Sequence, residues 1–125
     1  MTIEETLFTT LSADGDVGPL VSNADSPETF RIYSDPTTEN ISKPYIVYTL
    51  IFGEHFATFS GRTTLKRARI QIDCYATTRS GVRALADHIY DAVDGGMALA
   101  SMNEISGFED QTRLRRITLD IVVWE

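Results

Sequence analysis

The side chains best suited to chemistry in this sequence form one alternating row. In the stretch RARIQIDCYATTRSGVRALAD, residues 67–87, every second position of the first half is polar or aromatic, and the positions between them are apolar. The row consists of Arg67, Arg69, Gln71, Asp73 and Tyr75. Because successive side chains of a β-strand point to opposite faces, this pattern predicts a strand with one buried and one polar face. Such a polar face could catalyse a reaction, bind nucleic acid or contact another copy of the chain.

The residues that catalysis or metal binding would need are dispersed along the sequence. His55 and His88 fall in different predicted elements, and neither has a second His or a Cys at metal-ligand spacing. Cys74 falls on the apolar side of its strand, where a buried thiol packs and does not react. The sequence has no Gly-x-Ser-x-Gly elbow and no phosphate-binding loop that ends in Lys-Ser/Thr. We therefore predict no catalytic residue, no metal ligand and no cofactor.

The overall charge argues against a protein that binds DNA by itself. The chain has 11 basic and 18 acidic residues, which gives a net charge of −7. Affinity for DNA comes largely from the neutralisation of phosphates, so proteins that bind DNA freely are usually basic. An acidic surface can instead surround DNA without holding it.

The positive charge is concentrated on two predicted strands. Its carriers there are Arg67, Arg69, Arg113, Arg115 and Arg116. If the last strand lies beside residues 66–76, opposite charges can pair between the two strands. The row is then either a solvated face of alternating charge or a surface that orients a neighbouring subunit. Trp124 adds a large rigid side chain suited to a core or an interface. The predicted interface residues are Arg62, Lys66, Arg67, Arg69, Asp73, Arg116, Asp120 and Trp124.

Two helices are predicted from their capping signals. A Thr-x-x-Glu capping box at Thr2 begins the first, and apolar residues recur at helical spacing to about Ser12. Thr77 or Thr78 can cap the second, which the two glycines at 95 and 96 end.

The second predicted helix carries a stripe of three carboxylates, Asp87, Asp91 and Asp94. Carboxylate oxygens could bind a divalent cation. The simpler interpretation is a solvated helix face on which Arg83 is the i,i+4 partner of Asp87.

Strands are predicted from β-branched, aromatic and alternating residues. They span residues 45–54, 66–76, 97–109 and 113–125. The first of them, YIVYTLIFGE, is apolar on both faces, so we expect the core to cover one face and a partner the other. Residues 13–44 are predicted as loop, with FRIY as a short extra strand. Residues 55–66, HFATFSGRTTLK, are predicted as loop too, either a mobile basic loop that grips a partner or a plain hairpin connection.

The order α-β-β-α-β-β predicts an α+β fold. We expect a single antiparallel or mixed β-sheet with two helices packed on one face, in one domain over residues 1–125. No apolar run approaches the roughly 20 residues that cross a bilayer, and the acids near the start do not suit a signal peptide. The single cysteine fits a reducing compartment. The chain is therefore expected to be made and used in a cytoplasm, without a membrane.

Five stretches of the sequence resemble the tail terminator, or tail-completion, proteins that join head to tail in long-tailed phages, prophages and gene transfer agents. These stretches are MTIEETLFTTLSAD, LVSNADSPETFRIYSDP, PYIVYTLI, FSGRTTLKRARIQIDCYATTRSGVRALADHIYDAV and RLRRITLDIVVWE. The most specific of them is RARIQIDCYATTRSGVRALAD, and the least specific region is residues 13–44. The resemblance covers nearly the whole chain.

The resemblance implies a structural virion protein and not an enzyme. Such proteins form a ring, usually of six copies, at the head-proximal end of the tail tube, and some are monomers until they meet their partner. The ring ends tube polymerisation and contacts the head connector, while DNA passes through the lumen without specific binding. The implied partners are other copies, the tail tube protein and the connector or stopper protein. Neighbouring subunits would also protect exposed sheet edges.

Two alternatives remain open from the sequence. The chain could be a connector stopper or adaptor ring protein of the same particle. It could also be a small α+β ligand-binding domain or enzyme, which would need convergent polar groups around a pocket.

Overall fold

A computed structural model of the chain describes residues 2–23, 29–34, 43–58, 61–109 and 114–124, with the side chains of 52–58, 61–66 and 109 excepted. These residues form three helices and five strands. They are α1 (Ile3–Ala13), α2 (Val17–Val21), β1 (Ile32–Tyr33), β2 (Tyr45–Thr58), β3 (Gly61–Ala76), α3 (Arg79–Gly96), β4 (Ala98–Glu109) and β5 (Leu114–Trp124). The predicted α+β class is confirmed. Within the described residues, no helix combines the length and apolar character that a membrane span requires.

The strands form one mixed sheet in the order β1-β2-β3-β5-β4. Only β1 and β2 run parallel, and every other neighbouring pair is antiparallel. The central strand β3 pairs with β2 on one side and with β5 on the other. The alternation of β3 therefore decides which face of the sheet is buried.

The helices cover the apolar face of the sheet. Ile70, Ile72 and Cys74 of β3 are fully buried there, as are Leu119 of β5 and Leu85 of α3. α1 packs on α3 and adds Leu7 and Leu11 to the same cluster, along with Ile46 of β2. The sequence analysis predicted that the alternating apolar residues of 67–76 form a core face, and the structure confirms this prediction.

Local capping explains where the two long helices begin. In α1 the amide of Glu5 donates to the Thr2 hydroxyl at 3.1 Å, and the Glu5 carboxylate accepts from the Thr2 amide at 3.3 Å. In α3 the amide of Gly81 donates to the Thr78 hydroxyl at 3.0 Å. Each cap satisfies amides that the first helical turn leaves without a partner, and both caps lie where the sequence predicts them.

The prediction of loop at residues 55–66 is wrong, because β2 continues to Thr58 and β3 begins at Gly61. The two strands pair backbone to backbone from Glu54↔Arg67 to Thr58↔Gly61. This ladder satisfies backbone groups whatever the side-chain pattern, so weak alternation does not prevent it. The loop that connects the strands is shorter than predicted.

The prediction that all of residues 13–44 outside FRIY are loop is also wrong, because α2 forms at Val17–Val21. The Asp14 carboxylate accepts from the amides of Asp16 at 2.9 Å and Val17 at 3.0 Å, and these bonds start a second turn. Val17 and Val21 are fully buried, so tertiary packing stabilises a helix too short to form alone. The sheet therefore carries three helices on one face, not two. The short strand predicted in FRIY is confirmed as β1.

A buried arginine, which no pattern in the sequence indicated, holds α2 against the sheet. Arg31 is 8% exposed and donates to the carbonyls of Ser22 at 2.7 Å, Pro44 at 2.9 Å and Leu20 at 3.1 Å. Two of these carbonyls lie at the C-terminal end of α2, where backbone acceptors lack helical partners. The guanidinium thus joins α2 to the start of β2.

Two isoleucines on opposite faces of the sheet provide a matched test of this packing. Ile72 is fully buried in β3, and Ile105 of β4 is 64% exposed. We expect Ile72→Ala to lower the free energy of unfolding by about 2–5 kcal/mol, because it leaves a cavity. Ile105→Ala should change it by less than about 0.5 kcal/mol in the monomer. Urea unfolding of both variants measures the difference, and equal losses would contradict the assignment of faces.

Candidate functional site

The face of the sheet opposite the helices, here named the open face, gathers most of the predicted interface residues. Its members come from four strands and alternate with the core residues. They are Tyr45, Val47, Thr49 and Ile51 of β2; Arg67, Arg69, Gln71, Asp73 and Tyr75 of β3; Arg116, Thr118, Asp120, Val122 and Trp124 of β5; and Ser101, Asn103 and Ile105 of β4. The sequence therefore predicted the polar rows of β3 and β5, and the structure adds the residues of β4.

Arg69 and Asp120 form a two-point ion pair at the centre of the open face. The Nε atom of Arg69 lies 2.9 Å from Oδ1 of Asp120, and its Nη2 atom binds Oδ2. Arg69 stands directly opposite Val122 and Asp120 opposite Gln71, so the pair is diagonal across β3 and β5. The hydrogen bond to Asp120 raises the pKa of Arg69. The predicted pairing of charges between these strands is confirmed for this pair.

The Asp73 carboxylate is held within the sheet by two neighbours. Its Oδ1 atom accepts from the Thr118 hydroxyl at 2.6 Å, and its Oδ2 atom accepts from the Gln71 amide at 3.1 Å. Thr118 is the direct cross-strand partner of Asp73 in the antiparallel ladder. Asp73 is therefore a fixed and half-buried carboxylate.

Aromatic side chains make close contacts at both ends of the open face. At one end the Arg67 guanidinium lies over the ring of Trp124, 5.9 Å from its centroid, which is a cation–π distance. At the other end Tyr45 stacks on Tyr75 with ring centroids 4.7 Å apart, and Tyr33 meets the edge of Tyr45 at 6.5 Å. Arg116 stands opposite Tyr75.

The tyrosine cluster was missed by the sequence reasoning. Tyr33 and Tyr45 come from different elements, and Tyr75 lies 30 residues further along the chain than Tyr45. The only local signal was the high aromatic content of the stretch YIVY. The antiparallel register Tyr45↔Tyr75 brings two of the rings together, and the parallel pairing of β1 with β2, in the register Tyr33↔Val47, adds the third.

The eight predicted interface residues fall into two groups. Six lie on the open face of β3 and β5, namely Arg67, Arg69, Asp73, Arg116, Asp120 and Trp124. Arg62 and Lys66 lie in β3 opposite Ala57 and His55 of β2, and their side chains are outside the described residues. Arg113, which the sequence grouped with these charges, is outside the described residues too.

A shallow pocket of about 330 Å³ lies on the open face itself. Its walls are Arg67, Arg69, Asn103, Asp120 and Val122. It combines the Arg69–Asp120 ion pair with the apolar Val122, a mixture typical of protein–protein contact surfaces.

A second concave region, here named the arginine groove, lies between the start of α3 and the ends of β4 and β5. Its volume is about 590 Å³, and it is lined in part by Arg79, Arg83, Glu104, Phe108, Arg115 and Arg116. Arg83 binds Glu104 at 2.7 Å, which raises the pKa of Arg83. Arg115 lies over the Phe108 ring at 4.5 Å. This excess of guanidinium groups suits carboxylate or phosphate groups of a partner.

The groove corrects the grouping of the arginines at the start of the last strand. Adjacent residues of a strand point to opposite faces, so Arg115 starts on the helix side and Arg116 on the open face, from which Arg116 also reaches the wall of the groove. The positive charge is therefore divided between two surfaces.

The residues considered for catalysis or metal binding keep ordinary roles among the described side chains. Cys74 is fully buried, and burial raises the pKa of its thiol. His88 approaches Asp16 with its Nδ1 atom 3.8 Å from Oδ2. The expected contact of Arg83 with Asp87 is present at 3.6 Å. The described residues contain no group of three or more metal-binding side chains, and the side chain of His55 lies outside them.

Two comparisons with known proteins match nearly the whole chain. The family model described as "Tail completion protein gp17" matches residues 5–125. A chain from a structure titled "Virion of native gene transfer agent (GTA) particle" has a similar fold, with a TM-score of 0.63 and 12% identity. That similarity covers 98% of this chain and 92% of the other and, at such low identity, shows the fold alone. No curated protein matches the chain.

The environment of Cys74 predicts that its thiol resists labelling in the native protein. Because burial raises its pKa, the folded chain holds neutral thiol at pH 8, whereas an unfolded chain ionises near its ordinary pKa of about 8.5. Reaction with a thiol reagent should therefore be limited by unfolding and accelerate with urea. The thiol should also make stability fall as pH rises above that ordinary value. Immediate reaction of one thiol per native chain would contradict the assignment.

Proposed function

Because the chain belongs to the tail completion protein gp17 family, we propose that it forms a ring at the head-proximal end of a phage-type tail tube. The ring ends polymerisation of the tube and joins the tail to the head connector. The observation that carries this proposal is the match of the family model to residues 5–125. The similar fold in a gene transfer agent virion supports a location in the particle.

The proposed ring is a homo-oligomer, with six copies in the particle. Its other partners are the tail tube protein and the connector or stopper protein, and DNA passes through its lumen. The net charge of −7 supports this passage, because an acidic subunit gives DNA little to bind. The role is one of assembly and not of catalysis, which agrees with the completion of a tail as the family describes it.

We assign the open face of β3 and β5 to contact with a neighbouring protein in the particle. The Arg69 side chain is 46% exposed even though Asp120 holds it, so its charge remains available in a fixed orientation. Arginine and aromatic residues supply much of the binding energy of interfaces, and side chains that are already ordered lose less entropy on binding. The proposed contact residues are Arg62, Lys66, Arg67, Arg69, Asp73, Arg116, Asp120 and Trp124.

A connector stopper or adaptor ring is the second candidate for the same particle. The arginine groove does not distinguish a terminator from a stopper, because either kind of ring can contact its partners through charged surfaces. Binding of the purified protein distinguishes them, because a terminator binds isolated tail tubes and a stopper binds filled heads.

Deletion of the gene from its parent element tests the proposed function directly. We expect filled heads and unjoined tails, some of abnormal length, and recovery of joined particles when the protein is supplied. Electron microscopy of the particles measures both outcomes. Normal joined particles in the deletion strain would rule out the proposed role.

Exchanging the two charges of the Arg69–Asp120 pair tests whether the pair serves binding of a partner or only the stability of the monomer. Arg69→Asp places two carboxylates together and should reduce head-to-tail joining by about tenfold or more, the effect of roughly 1.4 kcal/mol. Arg69→Asp with Asp120→Arg restores an ion pair inside the monomer. We expect the double variant to recover stability in urea but not joining, because the positive charge has moved to β5.

The matched control for this exchange is Lys43→Asp, which makes the same charge change at an exposed position just before β2, outside the open face and the arginine groove. An equal joining defect in that variant would assign the effect to net charge. Full recovery of joining in the exchanged variant would show that the pair serves only the fold of the subunit.

A further inference from the structure

At each lateral edge of the sheet, the described residues include a strand segment whose outer backbone groups pair with no other strand. β4 is the last strand of the sheet and pairs only with β5 along Ala98–Glu109. On the opposite side, β1 covers β2 only at Ile46 and Val47. Within the described part of the chain, no strand pairs with the outer edge of β2 over residues 49–58. Open edges present rows of backbone donors and acceptors, which attract another strand.

The two open edges match each other in length and direction. The open part of β2 has 10 residues and β4 has 12. β2 and β5 are both antiparallel to β3, so they run in the same direction, and β4 runs opposite to β5. If a second copy stands beside the first in the same orientation, its β2 therefore meets β4 in the antiparallel sense. Antiparallel strands make the straighter and more stable hydrogen-bond ladder.

Both edge strands also carry exposed apolar side chains, and β4 carries little edge protection. Ile105 of β4 is 64% exposed and Ile51 of β2 is 46% exposed. The sequence of β4, ALASMNEISGFE, contains no Lys, Arg or Pro, the residues that commonly block an edge. Its Glu104 is bound to Arg83 of α3 and so is turned away from a strand that would join the edge. The bulge at Leu99/Ser101 lies near the start of β4 and leaves the remaining ladder of β4 regular. β2 has two irregularities in its pairing with β3, at Leu50/Phe52 and His55/Ala57, so its open part offers shorter regular stretches between them.

From these observations we infer that β4 of one copy pairs, as antiparallel strands, with residues 49–58 in β2 of a second copy. This inference rests on the proposed function, in which copies stand side by side in a ring. The contact joins two different edges, so every copy donates one and accepts the other. Such a head-to-tail contact closes into a ring, whereas pairing of β4 with β4 would stop at a dimer.

Cross-linking in assembled particles tests the inferred pairing. Thr49→Cys is combined in turn with Asn103→Cys, Ile105→Cys and Gly107→Cys, all on the open face, because antiparallel pairing of the open part of β2 with β4 places Thr49 near the C-terminal part of β4. The three β4 positions lie about 7 Å apart along the strand, and a bis-maleimide spacer of about 10 Å reaches direct and diagonal neighbours. The buried Cys74 stays in place in every variant. Denaturing gels then report the number of copies that are linked.

We expect at least one of the three double variants to give a ladder of linked chains that ends at the ring size. Each single variant should remain monomeric on the gel. The matched control combines Asn103→Cys with Tyr90→Cys, which lies 40% exposed on α3, and should remain monomeric too. A dimer from a single β4 variant would overturn the inference in favour of β4–β4 pairing.

The outcomes separate this inference from the proposed function. If the protein is present in joined particles and none of the double variants links, edge pairing is wrong while the ring can stand. If the protein is absent from purified particles, or its deletion leaves joined particles normal, the proposed function fails and the inferred pairing fails with it.

Discussion

The strict alternation of side chains along β3 is the constraint on which the rest of the structure depends. β3 is the central strand and pairs with a neighbour on each side, so its two faces become the two faces of the sheet. A slip of one residue would bring Arg69 into the core and expose Ile70. Because burying unpaired charges and exposing isoleucines both cost free energy, the register of β3 is fixed. The register of its neighbours then decides which residues meet on the open face.

The open face shows how a surface can be ordered before any partner arrives. Arg69 is held by Asp120, Asp73 by Thr118, and Tyr75 is stacked on Tyr45. Exposed ion pairs of this kind add little to the stability of a monomer. Their consequence is orientation, since a side chain held in one position loses less entropy when a partner binds it. An ordered polar surface of this type suits a subunit that must meet its partners in one geometry.

The same fold separates three kinds of surface on a chain of 125 residues. The sheet offers its open face, its two lateral edges offer backbone hydrogen bonds, and the arginine groove offers positive charge beside α3. A subunit of the proposed ring needs lateral contacts with its own copies and axial contacts with other proteins. Distinct surfaces allow these contacts to form independently, because a change on one surface need not disturb another.

The sequence by itself determined the parts of this protein that depend on neighbours a few residues apart. The alternation at residues 67–76 placed the core and open faces, and Thr2 and Thr78 placed the two helix starts. These signals are local because side-chain direction in a strand and amide capping in a helix involve only adjacent turns of the chain. The resemblance to tail-completion proteins rested on such stretches and indicated the family.

Only the tertiary structure decided the features that need residues distant in sequence. Arg31 finds its acceptors at Leu20, Ser22 and Pro44, and nothing local predicts that a charged side chain should be buried there. β2 and β3 extend to Thr58 and Gly61 because each supplies the hydrogen-bond partners of the other, whatever their own propensities. In each case the stabilising free energy comes from groups that only folding brings together, so their positions along the sequence do not predict the interaction.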